Sequence, residues 1–445
     1  MPCSCMRGSY YEYTSWRCPP PAPLAKGPSV PSRRRTMRSA WFMAMAVLLS
    51  AYAPVRTFAC ICAMCAAFTC LRGLITTRRR KRWAEEDHKR ILRVAEEHAK
   101  RDELWYAEFG YEPPPTYDTS TTPRFDAVTD SATWLEFLDT HGYAVIKEVA
   151  NRGEIEEAHA LLWSFLEHQT SMRRSNPESW TNAVFETIGE AKTGICQGCN
   201  VGHSMLCWFL RCLPRVRTVF ESIWKTNELI VSFDGINIFR PTTEDSSRRT
   251  RSDWWHVDQG RFKMGRHAIQ GFVSLTDATP ATGGLCVIPG SHTSHEDLMT
   301  YAATNDRDHV RVPSPEINPL CRHPKLVRCL AGDLVLWDSR TVHCNTPALA
   351  DALTVRSEGA AHRPAAHCSD RLLRVAAYVC MLPAKTLSAE ARDRRRLAFA
   401  ARIGTTHWPD HFVDAHRLEP LKKSIGAKGI AASMEAASKA CRGLI

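Results

Sequence analysis

The chain has 445 residues, 44% of them hydrophobic and 24% charged, which is the composition of a folded globular protein rather than a disordered one. Its 18 cysteines are too irregularly spaced in so long a chain to read as the disulfide framework of a small secreted scaffold. The formal charge of +11 comes from clusters near the two ends (Arg33–Arg35, Arg78–Arg82, and Arg392 with Arg394–Arg396). No aromatic-interleaved basic groove or zinc-finger spacing accompanies them, so a nucleic-acid partner is not expected.

In chain order, residues 1–38 are rich in Pro, Ser and Arg and read as a disordered basic N-terminus. Residues 39–75 carry two apolar runs of about 15 residues, split by Pro54 and Arg56 and flanked by basic clusters. Each run is shorter than the roughly 20 residues that cross a bilayer as a helix. The pair therefore reads as a membrane-anchoring hairpin with both ends cytosolic, or as a cleaved segment that targets an organelle. Residues 76–123 read as a charged helix, with Ile91, Leu92, Val94, Ala95 and Ala99 at near-helical spacing, followed by a Pro-rich linker from Pro113.

A folded domain is expected over 124–383, with a C-terminal helix and tail over 384–445. Helices are predicted at 134–140 and 154–168, the second with Ile155, Leu161, Leu162 and Phe165 on one face. Strands are predicted at 141–147, 229–233, 237–239, 269–275, 285–288, 326–330, 334–337 and 375–381. Short strands split by Gly, Pro and Asp turns predict a mainly β fold with flanking helices (α+β), a jelly roll. Residues 351–370 break the β pattern and read as a surface insertion. Cys196 and Cys199 form a CxxC without a second pair. A structural zinc with Cys207 or Cys212 is one reading, and buried free thiols in a reducing compartment are the preferred one.

The chemistry-bearing feature is His256-Val-Asp258, followed much later by His343. In a strand, residues i and i+2 point the same way, so His256 and Asp258 can grip one ion while Val257 faces away. Two imidazoles and one carboxylate on one face of a metal, with the other face open, are the facial triad of non-haem Fe(II) oxygenases. Their third ligand must come from a distant strand.

The run Phe137–Lys147, Trp255–Asp258, Gly283–His292, Gly332–Asp338, His343 and Arg374–Tyr378, taken in that order, resembles the phytanoyl-CoA dioxygenase (PhyH) family of Fe(II)- and 2-oxoglutarate-dependent oxygenases. The resemblance implies a double-stranded β-helix (the cupin-like jelly roll) and makes His256, Asp258 and His343 the catalytic iron ligands. It makes Arg374 the partner of the 2-oxoglutarate distal carboxylate, with Arg371 as the rival, and puts Asn345 and Gln270 beside the co-substrate with Phe272 on the same wall. Because an acid occupies position 258, where related halogenases carry a small residue, hydroxylation of a small-molecule or lipid C–H bond is the expected outcome. O2 and 2-oxoglutarate would be consumed, succinate and CO2 released, and ascorbate is a candidate reductant. Catalytically silent jelly-roll binding and a membrane-tethered scaffold are the alternatives. Asp234 or Asn237 at the substrate mouth, Arg340 reaching a substrate anion or pairing with Asp338, Trp254 and Trp255 as pocket or core, and His407 and Trp408 as a cap or a docked tail are left open by the residues alone.

Overall fold

Helix α1 (Ser131–His141) ends where Gly142 turns left-handed at φ 75°, its N–H returning to the Leu138 carbonyl. A Cβ at Gly142 would stand 2.5 Å from both His292 Nδ1 and Thr341 Oγ1, so the chain must be bare there to pass from α1 into β1 (Tyr143–Ile146). Helix α2 (Arg152–Gln169) starts on a reciprocal cap: Asn151 accepts from the Glu154 N–H, and the Glu154 carboxylate accepts from the Asn151 N–H. Its buried side chains are Ile155, Ala158, Leu162, Trp163 and Leu166.

The chain continues through α3 (Asn182–Phe185), β2 (Ile195–Cys196), α4 (Met205–Arg211) and α5 (Pro214–Trp224). Ser204 caps α4 and Pro214 opens α5, which buries Val216, Val219 and Phe220 on one face at helical spacing. Strands β3 (Leu229–Val231), β4 (Ile236–Phe239), β5 (His256–Val257), β6 (Ile269–Ser274) and β7 (Gly284–Val287) follow. After them come α6 (His295–Thr300), β8 (Val310–Arg311), β9 (Lys325–Leu326), β10 (Leu334–Asp338), β11 (His343–Thr346), β12 (Arg374–Pro383) and α7 (Ala389–Ala400).

The computed structural model describes residues 117–242, 245–300, 308–312, 324–349 and 372–413, together with Leu418. The segments at 1–38 and 39–75, most of 76–123, the 351–370 insertion and Arg371 lie outside the described residues. Among the described residues no helix is long and apolar enough to cross a membrane.

Two antiparallel sheets form the domain. One runs β1-β10-β6-β12-β4-β2, with β3 also on β12; the other runs β8-β5-β11-β7-β9. Alternation along the central strands assigns their two faces. Leu334 and Leu336 of β10, Ile269 and Val273 of β6, and Val375, Ala377 and Val379 of β12 join the cluster that contains the buried faces of α2, α4 and α5. Val335, Trp337, Phe272, Ala376 and Tyr378 join Leu285 and Val287 of the other sheet. The larger sheet is thus covered by helices on one face and by the smaller sheet on the other, so β6 and β10 are buried at every residue. This is the double-stranded β-helix, a mainly β fold with flanking helices. The predicted strand at 326–330 shrinks to Lys325–Leu326, with Cys329 held only by an isolated bridge to Ala278. Cys196, Cys199 and Cys207 are free thiols, and the candidate metal ligands grouped among the described residues include no cysteine.

Candidate active site

His256 of β5 and His343 of β11 are register partners. Side chains directly opposite on antiparallel strands have Cβ atoms about 5 Å apart, and here the ring centroids lie 4.3 Å apart. Asp258 follows two residues after His256, its N–H tied to the Ser339 carbonyl. Its carboxylate lies between the rings: Oδ1 is 3.5 Å from His256 Nε2 and Oδ2 is 3.3 Å from His343 Nε2. The other nitrogen of each ring faces a backbone carbonyl, Trp254 O at 3.0 Å for His256 and Thr341 O at 2.9 Å for His343. A carbonyl only accepts, so Nδ1 carries the proton and the Nε2 lone pair points at Asp258.

Two lone pairs aimed at a carboxylate repel one another unless a cation lies among them, so the donor set fits a metal ion. Burial, and then the neighbouring His343, press the His256 pKa well below its usual value and keep the ring neutral. The Asp258 carboxyl is held well below its usual value despite its burial, so it is ionised between the two rings. Neutral imidazoles beside an ionised carboxylate are the protonation state that binds a dication.

Gln270, on β6 of the opposite sheet, donates from Nε2 to Asp258 Oδ2 at 2.9 Å. The sequence predicts it beside the co-substrate; in the fold it orients a candidate ligand. His309, which has no motif to flag it, joins His256 and Asp258 in a group of possible ligand atoms lying within 4.8 Å of one another. Its Nδ1 is 3.5 Å from Asp258 Oδ1, yet its side chain is 63% exposed, against 6% for His343. His343 is buried, fixed by strand register and held at its second nitrogen, which makes it the better preorganised third ligand. The ring of Trp254 stacks on His256 at 4.9 Å, whereas Trp255 is wholly buried in the core.

Arg374 opens β12 and is 1% exposed. Its Nη1 donates to the side-chain oxygens of Asn237 and Asn345, and the rings of Phe239 and Phe272 lie 5.2 and 4.9 Å from the guanidinium carbon. Nε and Nη2 have no partner among the described residues, although both are buried. These two N–H groups share one edge of the guanidinium, the fork that matches a carboxylate. Burial pulls the Arg374 pKa down, the mark of a cation waiting for an anion. Asn237 therefore lies beside Arg374 rather than at a substrate mouth, its amide also donating to Thr193 O at 3.0 Å.

These groups line one cavity of about 690 Å³ between the sheets, walled by Trp254, Phe272, Leu285, Trp337 and Tyr378. The C-terminal residues Thr406, His407, Trp408 and His411 close part of it, so that segment is pocket wall as well as docked tail. Arg340 pairs with Asp338 at 2.8 Å, and Asp338 also takes Arg266 at 3.0 Å, so Arg340 is held by a carboxylate of its own. His292, His295 and His267 each bond a backbone carbonyl outside the ligand cluster.

Fold and site together define a double-stranded β-helix protein with a two-histidine, one-carboxylate centre and a buried arginine fork. Residues 138–349 match the family model of phytanoyl-CoA dioxygenase (PhyH), a family of Fe(II)- and 2-oxoglutarate-dependent oxygenases. Among curated proteins, Ava biosynthesis cluster protein O of Aspergillus versicolor is 26% identical over 237 residues, covering 48% of this chain and 66% of that protein. A Dictyostelium discoideum protein named as a phytanoyl-CoA dioxygenase is 21% identical over 248 residues, covering 47% of this chain and 68% of its own length. The chain thus spans about two thirds of the length of these relatives. Among solved structures, the non-haem alpha-ketoglutarate-dependent carbocyclase SnoK from nogalamycin biosynthesis aligns with a TM-score of 0.39 at 18% identity, over 59% of this chain and 87% of that one. EctD from S. alaskensis with 2-oxoglutarate and 5-hydroxyectoine aligns with a TM-score of 0.36 at 16% identity, over 62% and 88%.

Proposed function

We propose that the protein hydroxylates a C–H bond of a small molecule, consuming O2 and 2-oxoglutarate and releasing succinate and CO2. The observation that carries this reading is the convergence of His256, Asp258 and His343, acceptor atoms only, in the same cavity as the unpaired edge of Arg374. Bound Fe(II) supplies O2 activation, with 2-oxoglutarate as the two-electron reductant.

The chain's own residues supply the positioning. His256, Asp258 and His343 hold the iron, and the carbonyls of Trp254 and Thr341 keep the two rings from rotating. Gln270 fixes the carboxylate through Oδ2. Arg374 takes the distal carboxylate of 2-oxoglutarate on its Nε–Nη2 edge, while Asn237 and Asn345 occupy Nη1 and fix the plane of the fork. Trp254, Trp337 and Trp408 exclude water and leave an apolar space for the substrate.

The test is anaerobic titration of the full chain with Fe(II) and 2-oxoglutarate, watching for the weak visible metal-to-ligand charge-transfer band. The band should form in the wild type and vanish in His256→Ala. A folded, iron-loaded protein that shows no band would overturn the reading.

A further inference from the structure

Three carboxylates line the cavity: Asp234, Asp258 and Asp308. Asp258 faces the imidazoles. Asp308 is paired with Lys263, and with His411 at 3.2 Å. Asp234 has no ion pair among the described residues, although it is only 7% exposed. Its Oδ1 accepts from Gln197 Nε2 at 3.2 Å and from the Gly235 N–H at 2.7 Å. Arg211 comes close, but its two Nη groups donate to the backbone carbonyls of Gly202 and Asp234, not to the carboxylate. Oδ2 has no hydrogen-bond partner among the described residues. Because Gln197 turns its N–H2 to Asp234, its Oε1 is a second acceptor at the same wall.

Strand register locates this pair of acceptors. Arg374 is opposite Phe239 on β4, and Ala377 is opposite Ile236. Asp234 therefore stands at the far end of that ladder from Arg374, roughly 16 Å away along the strand at about 3.3 Å per residue. Gln270, which holds Asp258, is the partner of Cys380 on the other side of β12, and the Cys380 carbonyl accepts from the Ser232 N–H. Asp234 is thus level with the metal ligands and remote from the co-substrate fork. Tyr378, whose N–H bonds the Gly235 carbonyl, is beside it, and Trp254 and Trp408 are further aromatic walls of the same cavity.

We propose that the substrate is an organic cation, a protonated amine on an aromatic or flat apolar frame, and that Asp234 is the residue that anchors its nitrogen beside the reacting centre. A buried carboxylate with a bare oxygen is unfavourable until a cation meets it, and the ammonium group is that cation. Aromatic faces favour the same charge. Burial holds the Asp234 pKa above its usual value, consistent with a group that ionises on meeting its partner. The proposal rests on the oxygenase reading for the identity of the reaction, but amine recognition itself does not need the metal.

The test is calorimetric titration of the full chain, metal-free and loaded anaerobically with Fe(II) and 2-oxoglutarate, using tryptamine, indole-3-ethanol and indole-3-propionate, and 2-phenylethylamine against 2-phenylethanol. Each amine should bind about tenfold tighter than its alcohol, the scale of one partly desolvated ion pair. Asp234→Asn should erase that preference without weakening the alcohols. Equal binding of amine and alcohol, no binding of either amine, or a preference that survives Asp234→Asn would overturn the proposal. A ligand-free measurement accompanies it. Because Asn keeps an oxygen for Gln197 and Gly235, Asp234→Asn should raise the melting temperature at neutral pH; a fall would mark Asp234 as a turn-forming residue and sink the anchor role. The charge-transfer band in the same loaded sample reports separately on the cofactor site.

Discussion

Replacing Arg374 with Met should move stability and co-substrate affinity in opposite directions. The wild-type guanidinium is 1% exposed, with two orphaned N–H groups and no carboxylate partner. Removing it frees two buried donors but strands the side-chain oxygens of Asn237 and Asn345, and these terms, about 1–3 kcal/mol each, largely offset. What remains is the buried charge set against two ring contacts worth about 0.5–2 kcal/mol each. Replacing buried ions by apolar side chains of similar volume ranges from neutral to about 4 kcal/mol stabilising, and the unbranched Met fits the vacated channel. The expected net effect on the ligand-free protein is therefore about 0–3 kcal/mol of stabilisation. Binding of 2-oxoglutarate should lose about 2–5 kcal/mol, the cost of truncating one partner of a buried charge pair, which is roughly 30- to several-thousand-fold in Kd. Thermal melts of metal-free protein and calorimetric titration of the Mn(II)-loaded protein with 2-oxoglutarate give the two numbers. Arg374→Lys, which keeps the charge and loses the fork, should fall between. A variant that melts several degrees lower while binding 2-oxoglutarate as before would refute the role given to this residue.

Gln270→Leu leaves Asp258 Oδ2 without its 2.9 Å donor and should weaken Co(II) binding about 10- to 100-fold in a competition titration; unchanged affinity would remove Gln270 from the support of the metal site. Asp333, wholly buried, accepts from Arg124 at 2.7 Å twice, from the Glu148 N–H at 3.1 Å and from the Leu330 N–H at 2.9 Å. Asp333→Ala should cost about 3–5 kcal/mol in urea unfolding, and a loss below about 1 kcal/mol would contradict that accounting. Hydrogen bonds to Asp308 and Asp410 raise His411 to about 9. A folded pKa above the unfolded value of about 6.5 contributes stability that is complete below that pH and is lost as pH rises through about 9. The difference in melting temperature between wild type and His411→Gln should therefore shrink from pH 6 to pH 10, and a difference flat across that window would show that the ring carries no such charge.

Much of the fold is legible without coordinates. Short apolar runs split by Gly, Pro and Asp turns indicate a jelly roll, and Gly142 marks the passage from helix to strand because only a bare backbone passes His292 and Thr341 there. The short strands escaped that reading, except β5, whose extended form is legible in His256-Val-Asp258: β8 has two residues, and β11 (His343-Cys-Asn-Thr) has no apolar period to detect. Helices α4 and α5 also escaped it, α4 because it is only seven residues long, α5 although Val216, Val219 and Phe220 lie on one face at helical spacing behind Pro214.

The same division holds for the site. That His256 and Asp258 can turn to the same side follows from the period of two, a local property written in three consecutive residues, even though β5 itself ends at Val257. That His343 is the ring opposite His256 is a matter of β11–β5 register, which no spacing in sequence encodes. Gln270 reaches Asp258 only because two sheets face each other, and Asn237 meets Arg374 only because β4 and β12 are neighbours. Asp308 and His309 carry no motif, and they reach the cavity through the pairing of β8 with β5. Asp234 reads as an ordinary Asp-Gly turn until the fold turns its carboxylate into the cavity. Residue type and strand period set which chemistry is available; pairing and packing across distant segments decide which groups face one another, because the contacts that position them are non-local.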